Sequence, residues 1–146
     1  MTTIAFKNGV LATDMLANDS DLKAKCSSKA YETDDEVYAI AGTLCRGLKF
    51  VDWLLAGGVD DAPKLKNTTV VCMDKRSGTV TVYEGTDYAM PIEDTMYAWG
   101  SGGHLAIGAM AQGATPREAV QIANKWDCNS GLGVQEFRSK GRTVLC

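Results

Sequence analysis

One histidine, His104, occurs in the whole chain. A Ser-His-Asp triad has only that residue to use, and no serine sits in a G-x-S-x-G elbow. The five cysteines (Cys26, Cys45, Cys72, Cys128 and Cys146) form no C-x-x-C pair. An odd, scattered set reads as free thiols in a reducing compartment, not as a disulfide frame or a zinc site. No apolar run approaches the roughly 18 residues that span a bilayer. A basic excess is missing as well: the net charge is −3, which leaves no electrostatic footprint for nucleic acid or anionic lipid. With no charged n-region followed by an apolar h-region, no signal peptide is expected, and the reading is cytoplasmic. Repeats, low-complexity tracts and linkers are also missing, so residues 1–146 are expected to form one domain, long enough to bury a core without staples.

What is present is hairpin-forming sequence interrupted by two helical blocks. Thr3 to Lys7 is β-branched and aromatic, Asn8-Gly9 is the strongest two-residue hairpin signal, and Val10 to Thr13 returns. The polar stretch Asn18 to Lys25 reads as a loop. Val37 to Ala41 is an apolar strand that ends at Gly42, and Leu44 to Leu55 follows with a helical period, stopped by Gly57-Gly58. Thr68 to Met73 and Thr79 to Tyr83 form a second hairpin, and Met96 to Trp99 runs into Gly100-Ser101-Gly102-Gly103. A small-residue helix is expected over His104 to Gln112. Thr115-Pro116-Arg117-Glu118 is a capping box opening a helix to about Trp126, and Leu132 to Phe137 is a last candidate strand. The pattern argues for an α+β protein with antiparallel sheets, covered by the two helical blocks.

Few residues in this chain can do chemistry, and one of them is near the start. Removal of Met1 leaves Thr2, a small residue, with a free α-amine and a hydroxyl. A hydroxyl is a poor nucleophile until a base takes its proton, and an α-amine titrating at about 7.7–8.0 is neutral often enough to be that base. A nearby cation disfavours protonation of the amine. Lys29 is the candidate, with Asp14 as its anchor; solvated surface charges are the competing reading. Gly42, between a strand and a helix N-terminus, is a candidate N–H donor to an oxyanion, against the plainer reading of a strand-to-helix turn. Gly100-Ser101-Gly102-Gly103 lacks the Lys-Ser/Thr of a phosphate loop. It reads as a Ser N-cap with permissive glycines or, less well, as a phosphate cradle. Asp127-Cys128-Asn129-Ser130-Gly131 closes a helix, either as a C-cap with Gly131 near the left-handed region or with Asp127 and Ser130 facing a catalytic centre. His104 reads as a surface or capping group.

Together these segments resemble the N-terminal-nucleophile hydrolases of the proteasome β-subunit type, with the bacterial HslV peptidases among them. Thr2-Thr3-Ile4 and Gly9-Val10-Leu11-Ala12-Thr13-Asp14 resemble the family's opening hairpin. Lys29 falls near the family's spacing after Asp14, and Ala41-Gly42 resembles its Ala-Gly before the first helix. Gly100-Ser101-Gly102-Gly103 and Asp127-x-x-Ser130-Gly131 match two further motifs, in the same order along the chain. The resemblance implies a four-layer α-β-β-α sandwich of two antiparallel sheets and amide hydrolysis through an acyl-ester on threonine. It implies roles by position: Thr2 as nucleophile and base, Asp14 orienting Lys29, Gly42 donating to the oxyanion, and Ser101, Asp127 and Ser130 forming a hydrogen-bond net around the amine. No metal or organic cofactor is implied. Ile40 and Leu44 fall where the family lines its specificity pocket, which implies an apolar preference. The implied partners are peptide or unfolded-protein substrates, further copies of the chain in a ring, and an ATP-dependent unfoldase. Two departures stand out. The first hairpin is a few residues shorter than the family's, and only one helix fits between Gly42 and Thr68 where the family commonly has two, giving a shortened first helical layer. A non-catalytic ring or scaffold subunit, a small-substrate amidase of the same mechanism, and a nucleotide-binding module are the alternatives.

Overall fold

A computed structural model describes residues 2–19, 22–85 and 89–140. Met1, Ser20, Asp21 and Cys146 lie outside the described residues. Strands β1 (Thr3–Lys7) and β2 (Val10–Asp14) form the opening hairpin, in register from Ile4↔Thr13 to Lys7↔Val10. Its turn residues are both left-handed, Asn8 at φ 48° and Gly9 at φ 77°, the geometry that matches strand twist across a two-residue loop. Then come β3 (Leu16–Asp19), β4 (Leu22–Lys25), β5 (Ala30–Glu32), β6 (Glu36–Ala41), α1 (Leu44–Leu55), β7 (Thr69–Asp74), β8 (Val80–Glu84) and β9 (Ala89–Ile92). The chain continues through β10 (Met96–Gly100), α2 (Gly103–Ala111), α3 (Pro116–Trp126) and β11 (Val134–Arg138). Among the described residues, the strands form a four-stranded sheet β10-β1-β2-β11, a five-stranded sheet β5-β6-β7-β8-β9 and the small ribbon β3-β4, every pair antiparallel.

The two large sheets pack face to face, with Ile4, Phe6, Leu11, Val37, Val71 and Trp99 in the layer between them. The opposite pleat faces also carry buried side chains. On the four-stranded sheet Ala5, Ala12 and Ala98 meet Ala106, Met110, Ala119 and Val120 of α2 and α3. On the five-stranded sheet Tyr38, Ile40 and Val70 meet Phe50 and Val51 of α1. The result is the expected α-β-β-α order. Side chains on β1 and β6 alternate between two buried layers, so these strands read as nearly continuous apolar runs. Between Gly42 and β7 there is one helix among the described residues, in agreement with the shortened first helical layer.

Three features differ from the sequence reading. Of the stretch expected as a loop, Asn18 and Asp19 belong to β3 and Leu22 to Lys25 to β4, the two strands of the ribbon. Every residue of β4 is exposed, so it carries no apolar-in, polar-out alternation. Paired backbone groups, with Leu16 buried at its base, hold the ribbon. The short edge strands β5 and β9 were likewise unmarked. Gly131 is not left-handed; Leu132 (φ 59°) and Gly133 (φ 119°) are, and Asp127 ends α3 with extended backbone angles. The capping box at Thr115 and Glu118 is present with both reciprocal hydrogen bonds. No described helix is long and apolar enough to cross a membrane.

Candidate active site

Thr2 enters β1 at the end of the sandwich opposite the Asn8-Gly9 turn and is 2% exposed. Asp14 ends the neighbouring strand and is fully buried. Its Oδ1 accepts from the Thr3 amide at 3.1 Å, and its Oδ2 accepts from the amides of Leu16 (3.2 Å) and Gly131 (3.1 Å). Lys29, just before β5, is held by its own backbone: its amide donates to Gln135 Oε1 at 2.9 Å and its carbonyl accepts from the Ile40 amide at 2.9 Å. From there Lys29 Nζ reaches Asp14 Oδ1 and Oδ2 at 3.0 and 3.1 Å and donates to Thr2 Oγ1 at 2.9 Å. A buried ion pair costs desolvation that a well-packed apolar pair would not. The third group this pair touches is the Thr2 hydroxyl.

A second network lies on the other side of β1. Ser101 Oγ and Ser130 Oγ each donate to Asp127 Oδ2 at 2.6 Å, and Thr3 Oγ1 lies 2.6 Å from Ser130 Oγ. Since the Ser130 proton goes to the carboxylate, Thr3 is the donor to Ser130, and the chain of protons runs Thr3 to Ser130 to Asp127. Burial pushes the Asp127 carboxyl up, but hydrogen bonds from Ser101, Ser130 and the Asn129 amide outweigh it and hold the group below its ordinary range. Thr3 joins the two networks, its amide on Asp14 and its hydroxyl on Ser130. It was not among the residues singled out from sequence.

The glycines here answer to close packing. A Cβ at Gly100 (φ 91°) would overlap the Thr2 carbonyl oxygen, and one at Gly102 would overlap Thr3 Oγ1. The Gly-Ser-Gly-Gly loop therefore wraps the chain start and is not an open phosphate cradle. Ser101 is not the N-cap of α2; that position is Gly102, without a side-chain bond, and the Ser101 hydroxyl goes to Asp127. His104 is exposed in the first turn of α2. At the end of β6, Gly42 (φ 102°) packs so closely on the Asn67 carbonyl oxygen that a Cβ would overlap it. The next amide, Thr43 N–H, donates to Thr68 Oγ1 at 3.3 Å, and that hydroxyl donates onward to the Lys66 carbonyl at 3.0 Å. This brace behind Gly42 left no mark in the sequence.

A cavity of about 460 Å³ opens beside Thr2 and Lys29, walled by Ile40, Leu44, Leu16 and the thiol-bearing Cys26 and Cys45. A second, of about 310 Å³, shares Thr2, Gly42 and Asn67 with the first and extends to Gly100 and Ser101. A larger hollow of about 740 Å³ lies at the far end, around Asn8, Gly9 and Gly78, so volume alone does not pick out the site. The site residues expected from sequence are thus brought to one place: Thr2, Asp14, Lys29 and Gly42 at the chain start, Ser101, Asp127 and Ser130 in the adjoining network, and Ile40 and Leu44 in the wall. Among the described residues no group of three or more His, Cys, Asp or Glu side chains could hold a metal ion.

No protein-family model matches this sequence, and no curated protein matches it. Solved structures do. Thiobacillus denitrificans BPH superposes with a TM-score of 0.71 at 19% identity, over 97% of this chain and 99% of that one. The same protein in complex with epoxomicin gives 0.69 at 21% identity, over 96% and 99%. Eukaryotic HslV from Trypanosoma brucei gives 0.72 at 19% identity, over 93% and 98%. The chain has the HslV fold. The matches run nearly end to end on both sides, so the likeness covers the whole sandwich.

Proposed function

We propose that this chain is a threonine-type peptidase that acts once Met1 is removed and Thr2 becomes the N-terminus, within a single domain spanning residues 1–146. The observation that carries the reading is the Lys29 ammonium, 2.9 Å from Thr2 Oγ1 and tethered to a fully buried carboxylate. The freed Thr2 amine takes the proton of its own hydroxyl, and Oγ1 attacks the carbonyl carbon of the scissile amide. Lys29 stabilises the oxygen as it gains charge, and the Gly42 amide donates to the carbonyl oxygen that becomes an oxyanion. The protonated amine passes its proton to the leaving amine as the C–N bond breaks, and an acyl-ester remains on Thr2. Water, deprotonated by the same amine, hydrolyses that ester and regenerates the hydroxyl. Asp14 orients Lys29; Ser101, Asp127 and Ser130 hold the amine's surroundings through Thr3.

The cavity wall of Ile40 and Leu44 supports a preference for an apolar side chain before the cleaved bond. Likeness to HslV and BPH supports peptide or unfolded-protein substrates and assembly of identical copies, for which we propose a ring; an ATP-dependent unfoldase as supplier and a cytoplasmic setting complete the proposal. The BPH complex with epoxomicin supports the use of that compound as probe.

Intact mass of the purified protein is expected to read a chain without Met1. Peptidase activity and an epoxomicin adduct are expected on Thr2, with both lost in Thr2→Ala. Full activity in Thr2→Ala, or in a form that retains Met1, overturns the mechanism.

A further inference from the structure

The peptidase reading uses Asn67 only as a wall, yet its position is tightly determined. It lies between α1 and β7 with φ 52°, in the left-handed region that asparagine enters more readily than most residues. Its carbonyl oxygen is pressed on Gly42, and its neighbour Thr68 pins the Thr43 amide. The Asn67 backbone is therefore locked to the turn that carries the proposed oxyanion donor. The residue is exposed, and among the described residues its carboxamide has no hydrogen-bond partner. Asn67 lines both cavities that meet at Thr2.

A polypeptide with its scissile carbonyl at Thr2 and residues in both cavities has to pass this wall. A carboxamide offers one acceptor and two donor hydrogens, the complement of a peptide unit's N–H and C=O. On the peptidase reading, we propose that Asn67 is a substrate-binding residue that hydrogen-bonds the main chain of a peptide spanning the two cavities. Because the contact is to backbone, it favours extended polypeptide over small amides without selecting side chains. It acts equally on ground and transition states, so its loss raises KM and spares kcat.

The test is steady-state kinetics of the mature full-length protein on two substrates. One is an internally quenched peptide with several residues on each side of the cleaved bond; the other is a short acyl-peptide amide of a fluorescent dye. Asn67→Gly keeps the left-handed backbone and deletes the carboxamide. It is expected to raise KM for the long peptide about three- to tenfold, the worth of one neutral hydrogen bond, with kcat within about twofold and a smaller change on the dye amide. Asn67→Ala is expected to show the same KM with a lower melting temperature, since it adds backbone strain. An unchanged KM for the long peptide in Asn67→Gly overturns the proposal. So does a fall in kcat at constant KM on both substrates, which would assign Asn67 to support of the Gly42 turn. An active wild type with either result refutes this inference alone, whereas a mature wild type that hydrolyses neither substrate removes the peptidase reading with it.

Discussion

Replacing Asp14 by Asn keeps the side chain's shape and removes its charge. The consequence follows from who faces it. Oδ1 accepts from Thr3 N–H and Lys29 Nζ, and Oδ2 from Leu16 N–H, Gly131 N–H and Lys29 Nζ. Whichever oxygen becomes an NH2, a donor is turned on donors, and the Lys29 ammonium is left buried without its counter-charge. Breaking a buried pair by removing one partner costs about 3–5 kcal/mol. For a domain of this size that lowers the melting temperature by about 10–15 °C. Lys29 also loses its hold beside Thr2 Oγ1, so peptidase activity is expected to fall about a hundredfold or more. Adding Lys29→Met removes the stranded charge. The double variant is expected to melt at least about 3 °C above Asp14→Asn, a coupling of roughly 1 kcal/mol or more, while remaining inactive. Thermal unfolding of the wild type, both singles and the double closes the cycle. If Asp14→Asn melts within about 2 °C of wild type, or if the two singles simply add, the pair is not the coupled centre described here.

Four further outcomes are expected. A Cβ at Gly47 of α1 would lie 2.8 and 2.9 Å from Ile40 Cγ1 and Cδ1, and Ile40 backs onto the cavity beside Thr2. Gly47→Ala should therefore push Ile40 into that cavity and lower kcat/KM for peptides with large apolar residues before the cleaved bond more than for alanine, a shift lost in Gly47→Ala/Ile40→Val; equal loss on both peptides counts against this wall. Thr68→Val should lower kcat about tenfold with KM little changed by freeing the Thr43 amide, and Thr68→Ser should restore it; a change confined to KM would deny the brace its role. Burial, with the Glu36 carboxylate 3.3 Å away, pushes the Cys72 thiol from 9.0 to about 12, and burial raises Tyr38 as well. Both groups hold their protons in the folded state at pH values where the unfolded chain releases them, so stability should decline as pH climbs from 9 towards 12, read by chemical denaturation; a flat profile there contradicts the buried thiol. Alkylation of the native protein at pH 8, mapped by peptide, should label the exposed Cys45 and Cys128 quickly and leave Cys72 unmodified.

How much of this was legible depends on whether a residue's role is local. Asn8-Gly9, the helical period from Leu44 to Leu55 and the Thr115 capping box act through neighbours in sequence, and each is present as read. The β3-β4 ribbon was misread because its second strand is exposed throughout and leaves no alternation. The acidic and hydroxyl residues that the structure brings together could be picked out because their spacing along the chain could be laid against a known order of motifs. What could not be read is what joins them. Thr3 bridges two networks only because β1 lies beside β10 and against the end of α3, and Gly102 is small only because Thr3 Oγ1 fills the space a Cβ would take.

The same logic accounts for the trimmed first helical layer. With one helix between Gly42 and β7, the returning segment at Lys66–Thr68 lies directly on the turn after β6, where it meets Gly42 and holds the Thr43 amide. A donor to a developing oxyanion, the role proposed for the Gly42 amide, is useful only if it does not reorganise during the reaction, and a glycine with φ 102° has no side chain of its own to prevent that. The turn at Gly42 is held instead by the backbone 25 residues downstream, through the carbonyl that precedes Thr68, and by the Thr43–Thr68 hydrogen bond. Lengthening the loop that precedes Lys66 should for that reason affect turnover before it affects stability.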